Sequence, residues 1–224
     1  MKKLVMDAKV ALGTAPKTVD PEYDRQATSV RSTDNALLEY KLAVEKMKSA
    51  AQSLCSAMES MSKAFDLLSN GGDVTEAMKK TAREYEAVVK KVNNEFLVDF
   101  KRALDDHEAM RNVKELTSDC KRLEGNRNKV MTEYDTYRDA VDKKVSEYKK
   151  KNKDLSESKH HYEDVAKRDS LKKDFEKADK DFKNKYAELE KKKILAYRSG
   201  MSDYLKGTSH FLDSIEKELA RVHS

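Results

Sequence analysis

Proline is nearly missing from this sequence. Both prolines, Pro16 and Pro21, fall in the first 21 positions, so nothing from Glu22 to Ser224 carries the strongest helix breaker and that whole stretch is free to be helical. Cysteine is as scarce: Cys55 and Cys120 lie far apart inside apolar patterns, with no His or Cys at metal spacing. That excludes a disulfide framework and reads as two reduced core thiols in a cytosolic protein. No run of about 18 apolar residues occurs, so no segment is expected to span a bilayer. The opening Met1-Lys2-Lys3 is like that of a signal peptide, but Asp7 and Lys9 interrupt the apolar region one needs. Also missing are a Gly-rich phosphate loop, Ser/His/Asp or Cys/His constellations, and carboxylate pairs in a strand-loop setting; no catalysis, cofactor or small-molecule substrate is expected. His160-His161 could suggest a metal, yet adjacent residues point to different helix faces and no further His or Cys lies nearby. No metal is expected, and the pair should sit on the surface or at a tip.

What remains is charge and helical rhythm. Of 224 residues, 39% are charged and 38% hydrophobic, too polar for a thick globular core and too patterned for disorder. The net charge of +5 says little, but its placement says more. Residues 143–193 hold 18 Lys/Arg against 12 Asp/Glu, and the rest of the chain holds 28 against 29.

The apolar residues recur at helical spacing. Val30, Leu37, Val44, Ala51, Met58 and Phe65 stand seven apart, interleaved with Tyr40, Met47, Leu54, Met61 and Leu68, which predicts a helix over residues 22–69. Asn70-Gly71-Gly72-Asp73 should stop it, with Asp73 capping a second, antiparallel helix over residues 74–152. A helix of that length would reach roughly 110 to 120 Å and make the molecule elongated. Gly125 and Asn126 interrupt the stripe where polar Arg127 takes a seam position, and a bend is expected there. Between Lys149 and Ser170 the rhythm nearly vanishes, which places the next reversal. A third helix, over residues 160–223, resumes with Leu171, Phe175, Ala178 and Phe182 and becomes denser in apolar residues beyond Ile194. Three helices should pack together at one part and only two toward the basic connection. Apolar surface left by such a narrow seam calls for a symmetric partner, so an antiparallel homodimer with a six-helix centre is expected.

Before this body, Met1, Leu4, Val5, Ala8, Ala11 and Leu12 share an arc of about 120° on a helix, with Lys2, Lys3 and Lys9 outside it. So short a segment holds helix only against a surface that accepts its apolar face, either lipid or the bundle itself. No Trp or Phe anchors it.

Several runs together resemble one family. Asp7-Ala8-Lys9-Val10-Ala11-Leu12-Gly13-Thr14-Ala15-Pro16-Lys17-Thr18-Val19-Asp20-Pro21-Glu22-Tyr23 looks like the N-BAR opening, a membrane helix ending in Leu-Gly and a Lys/Ala-rich link with Thr-x-Asp before an aromatic residue. Lys121-Arg122-Leu123 and Lys129-Val130-Met131-Thr132-Glu133-Tyr134-Asp135-Thr136-Tyr137-Arg138 are similar to the family's second-helix stretch around a Tyr-Asp pair, and Ala178-Asp179-Lys180-Asp181-Phe182 follows suit in the third helix. The chain thus resembles the BAR domain family, of N-BAR, amphiphysin- or endophilin-like type, along its whole length. It departs in the stretch from Tyr134-Asp135 to Phe182, which is longer than in amphiphysin-like relatives and puts the curvature in question.

The resemblance implies an all-α fold: a crescent-shaped homodimer of antiparallel three-helix coiled coils, with residues 1–21 as amphipathic helix and link and 22–224 as the BAR domain. It implies a cytoplasmic protein peripheral on membranes, serving endocytosis or membrane trafficking. It also implies binding of anionic phospholipid, phosphatidylserine or phosphoinositides, through the tips and concave face. The candidates are Lys143, Lys144, Lys149, Lys150, Lys151, Lys153, Lys159, Lys167, Arg168, Lys172 and Lys173, with Arg127, Lys129 and Arg138 on the second helix. Met1, Leu4, Val5, Ala8 and Leu12 would insert, and Lys2, Lys3 and Lys9 would meet headgroups. Each cation near an anionic surface is worth on the order of 1 kcal/mol. The main alternative is a structural coiled coil that binds protein partners and no lipid. Nucleic acid is not expected as a partner, because 12 acidic residues are interspersed through the basic stretch and no known module is present.

Overall fold

The computed structural model describes residues 18–70, 72–105, 108–158 and 160–222. Every regular element among them is helical: α1 (Pro21–Ser69), α2 (Glu76–Lys91), a π-helical turn (Val92–Phe96), α3 (Leu97–Ala103), α4 (Glu108–Lys150), a 3-10 turn (Leu155–Glu157) and α5 (His161–Val222). The result is an all-α fold of three packed helical segments. No described helix is long and apolar enough to cross a membrane.

Local chemistry sets most of the ends. Asp20 caps α1 by accepting from the Tyr23 N–H at 3.0 Å, and Pro21 occupies the first helical position, where its missing N–H costs nothing. The cap of α2 is Thr75, which accepts from the Met78 N–H at 3.3 Å; the expected cap at Asp73 is displaced by two residues because the turn out of α1 is longer than its Asn-Gly-Gly core.

The second helical segment is not the continuous 74–152 helix that periodicity suggested. Val92 and Leu97 are both buried, five residues apart where an α-helix repeats its face every three or four, and the π turn absorbs the extra residue. The segment then ends after Ala103, where the Asp105 N–H bonds back to Arg102 at 3.1 Å, and α4 starts at Glu108. Asp105 and Asp106 are poor interior helix residues, which suits an interruption there. α3 thus ends at Ala103 and α4 starts at Glu108, and α4 runs as one helix through Gly125.

The described residues form two compact units, one within residues 1–34 and 114–191 and one within 35–113 and 192–224. In the first, Asp34 pairs with Lys121 and Arg31 with Glu124, which sets α1 antiparallel to α4. Lys144 pairs with Asp164 and Tyr134 stacks on Phe175, which sets α5 antiparallel to α4. Ser29 bonds Glu190, so α1 and α5 run parallel. Three helices meet around Tyr23, Arg127 and Phe182, so the three-helix packing expected only beyond Ile194 already holds in the sparser half of the third helix; nearer the turn, α4 is joined to α5 through Lys144 and Asp164.

In the second unit, Ala51, Cys55, Met58, Val88, Val92, Leu97, Phe100, Phe211 and Ile215 form the core, with Phe100 stacked on Phe211 at 4.7 Å. Gly207 lets α5 approach closely, since a Cβ there would come within 3.1 Å of the Ala103 Cβ. Both cysteines are free and buried, and burial pushes the Cys120 thiol up to about 11.

Candidate functional site

Four lysines within five residues span the end of α4 and the start of the connection that follows. The Lys153 N–H bonds the Tyr148 carbonyl at 3.0 Å and the Asn152 N–H bonds that of Lys149 at 3.3 Å, with Asn152 at φ 51. This is a Schellman closure with asparagine in the left-handed position usually taken by glycine. Its consequence is that Lys149, Lys150 and Lys151 fill the last turn and cap position, where a cation complements the helix dipole, while Lys153 begins the connection. Asp154 then starts the 3-10 turn by accepting from the Ser156 N–H at 2.8 Å, a bond that holds its carboxyl below the usual range. His160 is exposed and pairs with Glu163 at 2.9 Å, whereas His161, the first residue of α5 beside the connection, is buried. No group of residues able to hold a metal occurs among the described residues.

Accessibility and pairing sort the basic candidates. Lys149, Lys150, Lys151 and Lys153 are exposed, and none has an ion-pair partner among the described residues. Lys129, Lys167 and Lys173 share that state. By contrast Lys143 pairs with Asp139, Lys144 with Asp164 at 3.2 Å, Arg168 with Asp169 at 2.7 Å and Lys172 with Glu176 at 3.9 Å. Arg138 pairs with Asp135 at 3.0 Å. Lys159 lies outside the described residues, as do Met1, Lys2, Lys3, Leu4, Val5, Ala8, Lys9 and Leu12.

Arg127 does not belong to any lipid-facing surface. Its side chain is 1% exposed, so the expectation that it reaches headgroups is overturned by burial. Its Nε donates to Asp179 at 2.6 Å and its Nη2 to Asp20 at 3.1 Å, and the guanidinium lies 3.4 Å from the Tyr23 ring centroid and 4.9 Å from that of Phe175. Lys183 completes the cluster, 2.8 Å from Asp179 and 3.5 Å from Asp20. Two cations thus face two carboxylates, the balance a low-dielectric site requires. Burial pushes Asp20 up, but the Tyr23 N–H, Lys183 and Arg127 together outweigh it and hold the carboxyl below its ordinary value. Asp179 and Asp20 raise Lys183 in turn, against its burial.

Next to this cluster, Asp135 accepts from both the Thr18 N–H, at 2.9 Å, and the Thr18 hydroxyl, at 2.7 Å, while the Arg138 Nη1 donates to that hydroxyl at 3.2 Å. The runs read separately as Thr18-Val19-Asp20, Tyr134-Asp135 and Ala178-Asp179 therefore meet in one polar cluster. Sequence reasoning placed Arg127 on the seam but missed its partners. The signal was there in Asp179, a carboxylate between Phe175, Ala178 and Phe182 at helical spacing.

The second unit carries an open apolar groove of about 1110 Å³, lined by Leu54, Met61, Phe65, Leu68, Met78 and Leu212 among others, with Glu216 the one charged residue in its lining. Leu67 and Leu68 are among the most exposed large apolar side chains described.

No protein-family model and no curated protein matches this chain.

Proposed function

We propose that this chain is a membrane-binding module of N-BAR type that senses or generates curvature, engaging anionic phospholipid as a homodimer. The observation that carries the reading is the lysine turn. Lys149, Lys150, Lys151 and Lys153 stand exposed without ion-pair partners, at the end of a helix whose other candidate cations are largely neutralised. A solvated charged face ordinarily carries its own counter-charges at helical spacing, as Lys143 does with Asp139. Unpaired ammonium groups on one turn suit a multiply anionic surface such as phosphatidylserine- or phosphoinositide-containing lipid.

The groove in the second unit supports a second copy of the chain as its occupant. It is larger than the ~300–1,000 Å³ typical of small-molecule sites, and its lining offers a charged partner almost nothing to pair with. A two-fold pairing buries such a strip against itself. In this reading the assembly is an antiparallel, crescent-shaped dimer peripheral on cytoplasmic membranes, with residues 1–12 inserting into the leaflet, and its role lies in endocytosis or trafficking. The second reading, a coiled-coil scaffold for protein partners, draws on the same groove, which would equally seat a partner's amphipathic helix.

Sedimentation with vesicles of graded phosphatidylserine content, at low and high salt, separates the two, with negative-stain imaging of the same samples. Salt-sensitive binding with tubules is the expected result; absence of binding at every composition leaves the scaffold. Sedimentation equilibrium should give twice the chain mass, and a monomer at micromolar concentration would remove the dimer.

A further inference from the structure

The three residues before α1 are held more tightly than a lead-in to a helix needs. Asp20 alone caps the helix, through its carboxylate and the Tyr23 N–H. Yet Asp20 also takes the buried Arg127, and Thr18 is gripped twice by one carboxylate of α4, through its backbone N–H and its hydroxyl, with Arg138 on the same hydroxyl. The Asp135 side chain is 3% exposed, so these bonds form where water competes poorly. Buried charge of this kind is a weak source of net stability compared with apolar packing and is best explained by what it fixes in place. What it fixes is the point where residues 1–17 join the helices.

The geometry assigns Asp135 and Thr18 the role of a clip, with Arg127 and Asp20 behind it, that ties the N-terminal segment to α4 and transmits to the first unit whatever that segment binds. Asp135 and Thr18 are positioning residues: Asp135 is buried and spends its carboxylate on Thr18 and Arg138, and the pair acts through the segment it holds. The pinning itself is independent of what residues 1–17 bind; its use in membrane bending rests on the proposed function above.

The full chain carries its own reporter, because trypsin cleaves after Lys17, the residue next to Thr18 in sequence, and after Lys9, nine residues before Thr18 in sequence. A protease needs several residues extended on each side of the bond, so cleavage after Lys17 requires Thr18 and its neighbours to leave Asp135. In solution without lipid, Asp135→Ala and the milder Thr18→Val, which removes only the hydroxyl, are followed by mass spectrometry. Both should raise the ratio of Lys17 to Lys9 cleavage, the first by at least about tenfold, as loss of a charge-assisted hydrogen bond would in a local opening equilibrium. An unchanged ratio in both variants overturns the clip. With phosphatidylserine vesicles, the variants should sediment as the parent does while forming fewer tubules; normal tubulation with a raised ratio overturns the positioning role. If the parent chain ignores the vesicles, the membrane reading fails and the cleavage ratio alone decides the pinning.

Discussion

Arg127 and Asp179, 52 residues apart in sequence, meet at 2.6 Å between Nε and Oδ1, with the guanidinium almost fully withdrawn from water. The contact joins α4 to α5 at the level where Asp20 brings in α1, so a single side chain links all three helices of the first unit.

Removing that cation leaves Asp20 and Asp179 facing each other with Lys183 as their remaining partner. Arg127→Ala should therefore destabilise the chain by about 3–5 kcal/mol, the cost of stranding a buried charge. Urea unfolding measures it, and vesicle binding per folded molecule should be unchanged. A drop below about 1 kcal/mol would mean the site relaxes or hydrates.

Asp20 gives the cluster a pH dependence with a definite sign. Its folded pKa lies below the ordinary carboxylate value of about 3.9, so its contribution to stability is complete above that value and lost as the pH falls through the lower, folded one. The parent chain should lose more stability than Asp20→Asn between about pH 4 and pH 2, and the two curves should run parallel above about pH 5. Parallel curves throughout would show that Asp20 protonates alike in both states. Urea midpoints across that range decide it.

The lysines of the turn should matter for lipid in proportion to their freedom. Replacing Lys149, Lys150, Lys151 and Lys153 with alanine should weaken binding to phosphatidylserine vesicles by on the order of 100-fold or more, at about 1 kcal/mol each. The paired cations Arg168 and Lys172, changed together to alanine, should cost only a few fold. Equal losses from both variants would shift the contact toward α5.

Gly125 is exposed in an unbroken stretch of α4, and a Cβ there meets nothing within 4 Å. Gly125→Ala should stabilise the chain by roughly 0.8–1 kcal/mol through helix propensity alone. A destabilised variant in urea unfolding would reveal a use for the glycine that its surroundings do not show.

Much of the helical layout was legible before any coordinates. α1 ended at Ser69 as its heptads and the Asn-Gly-Gly turn implied, and the reversal fell inside residues 149–170, between α4 and α5. The second helix was read too long because a π turn and a short break leave the apolar stripe nearly intact: one extra residue between Val92 and Leu97 shifts the phase without erasing it.

The lysine turn was visible as a run of letters, but which lysines are free was not, because pairing depends on where Asp139, Asp164 and Glu176 project. Sequence alone determined the helical class, the two reversals and the seam position of Arg127, since these follow from local propensity and from the 3.6-residue period. Tertiary structure decided what Arg127 is for. Whether an arginine on a seam meets lipid or carboxylates depends on partners more than 50 residues away, and only the packing of α1 and α5 against α4 brings Asp20 and Asp179 within hydrogen-bond reach.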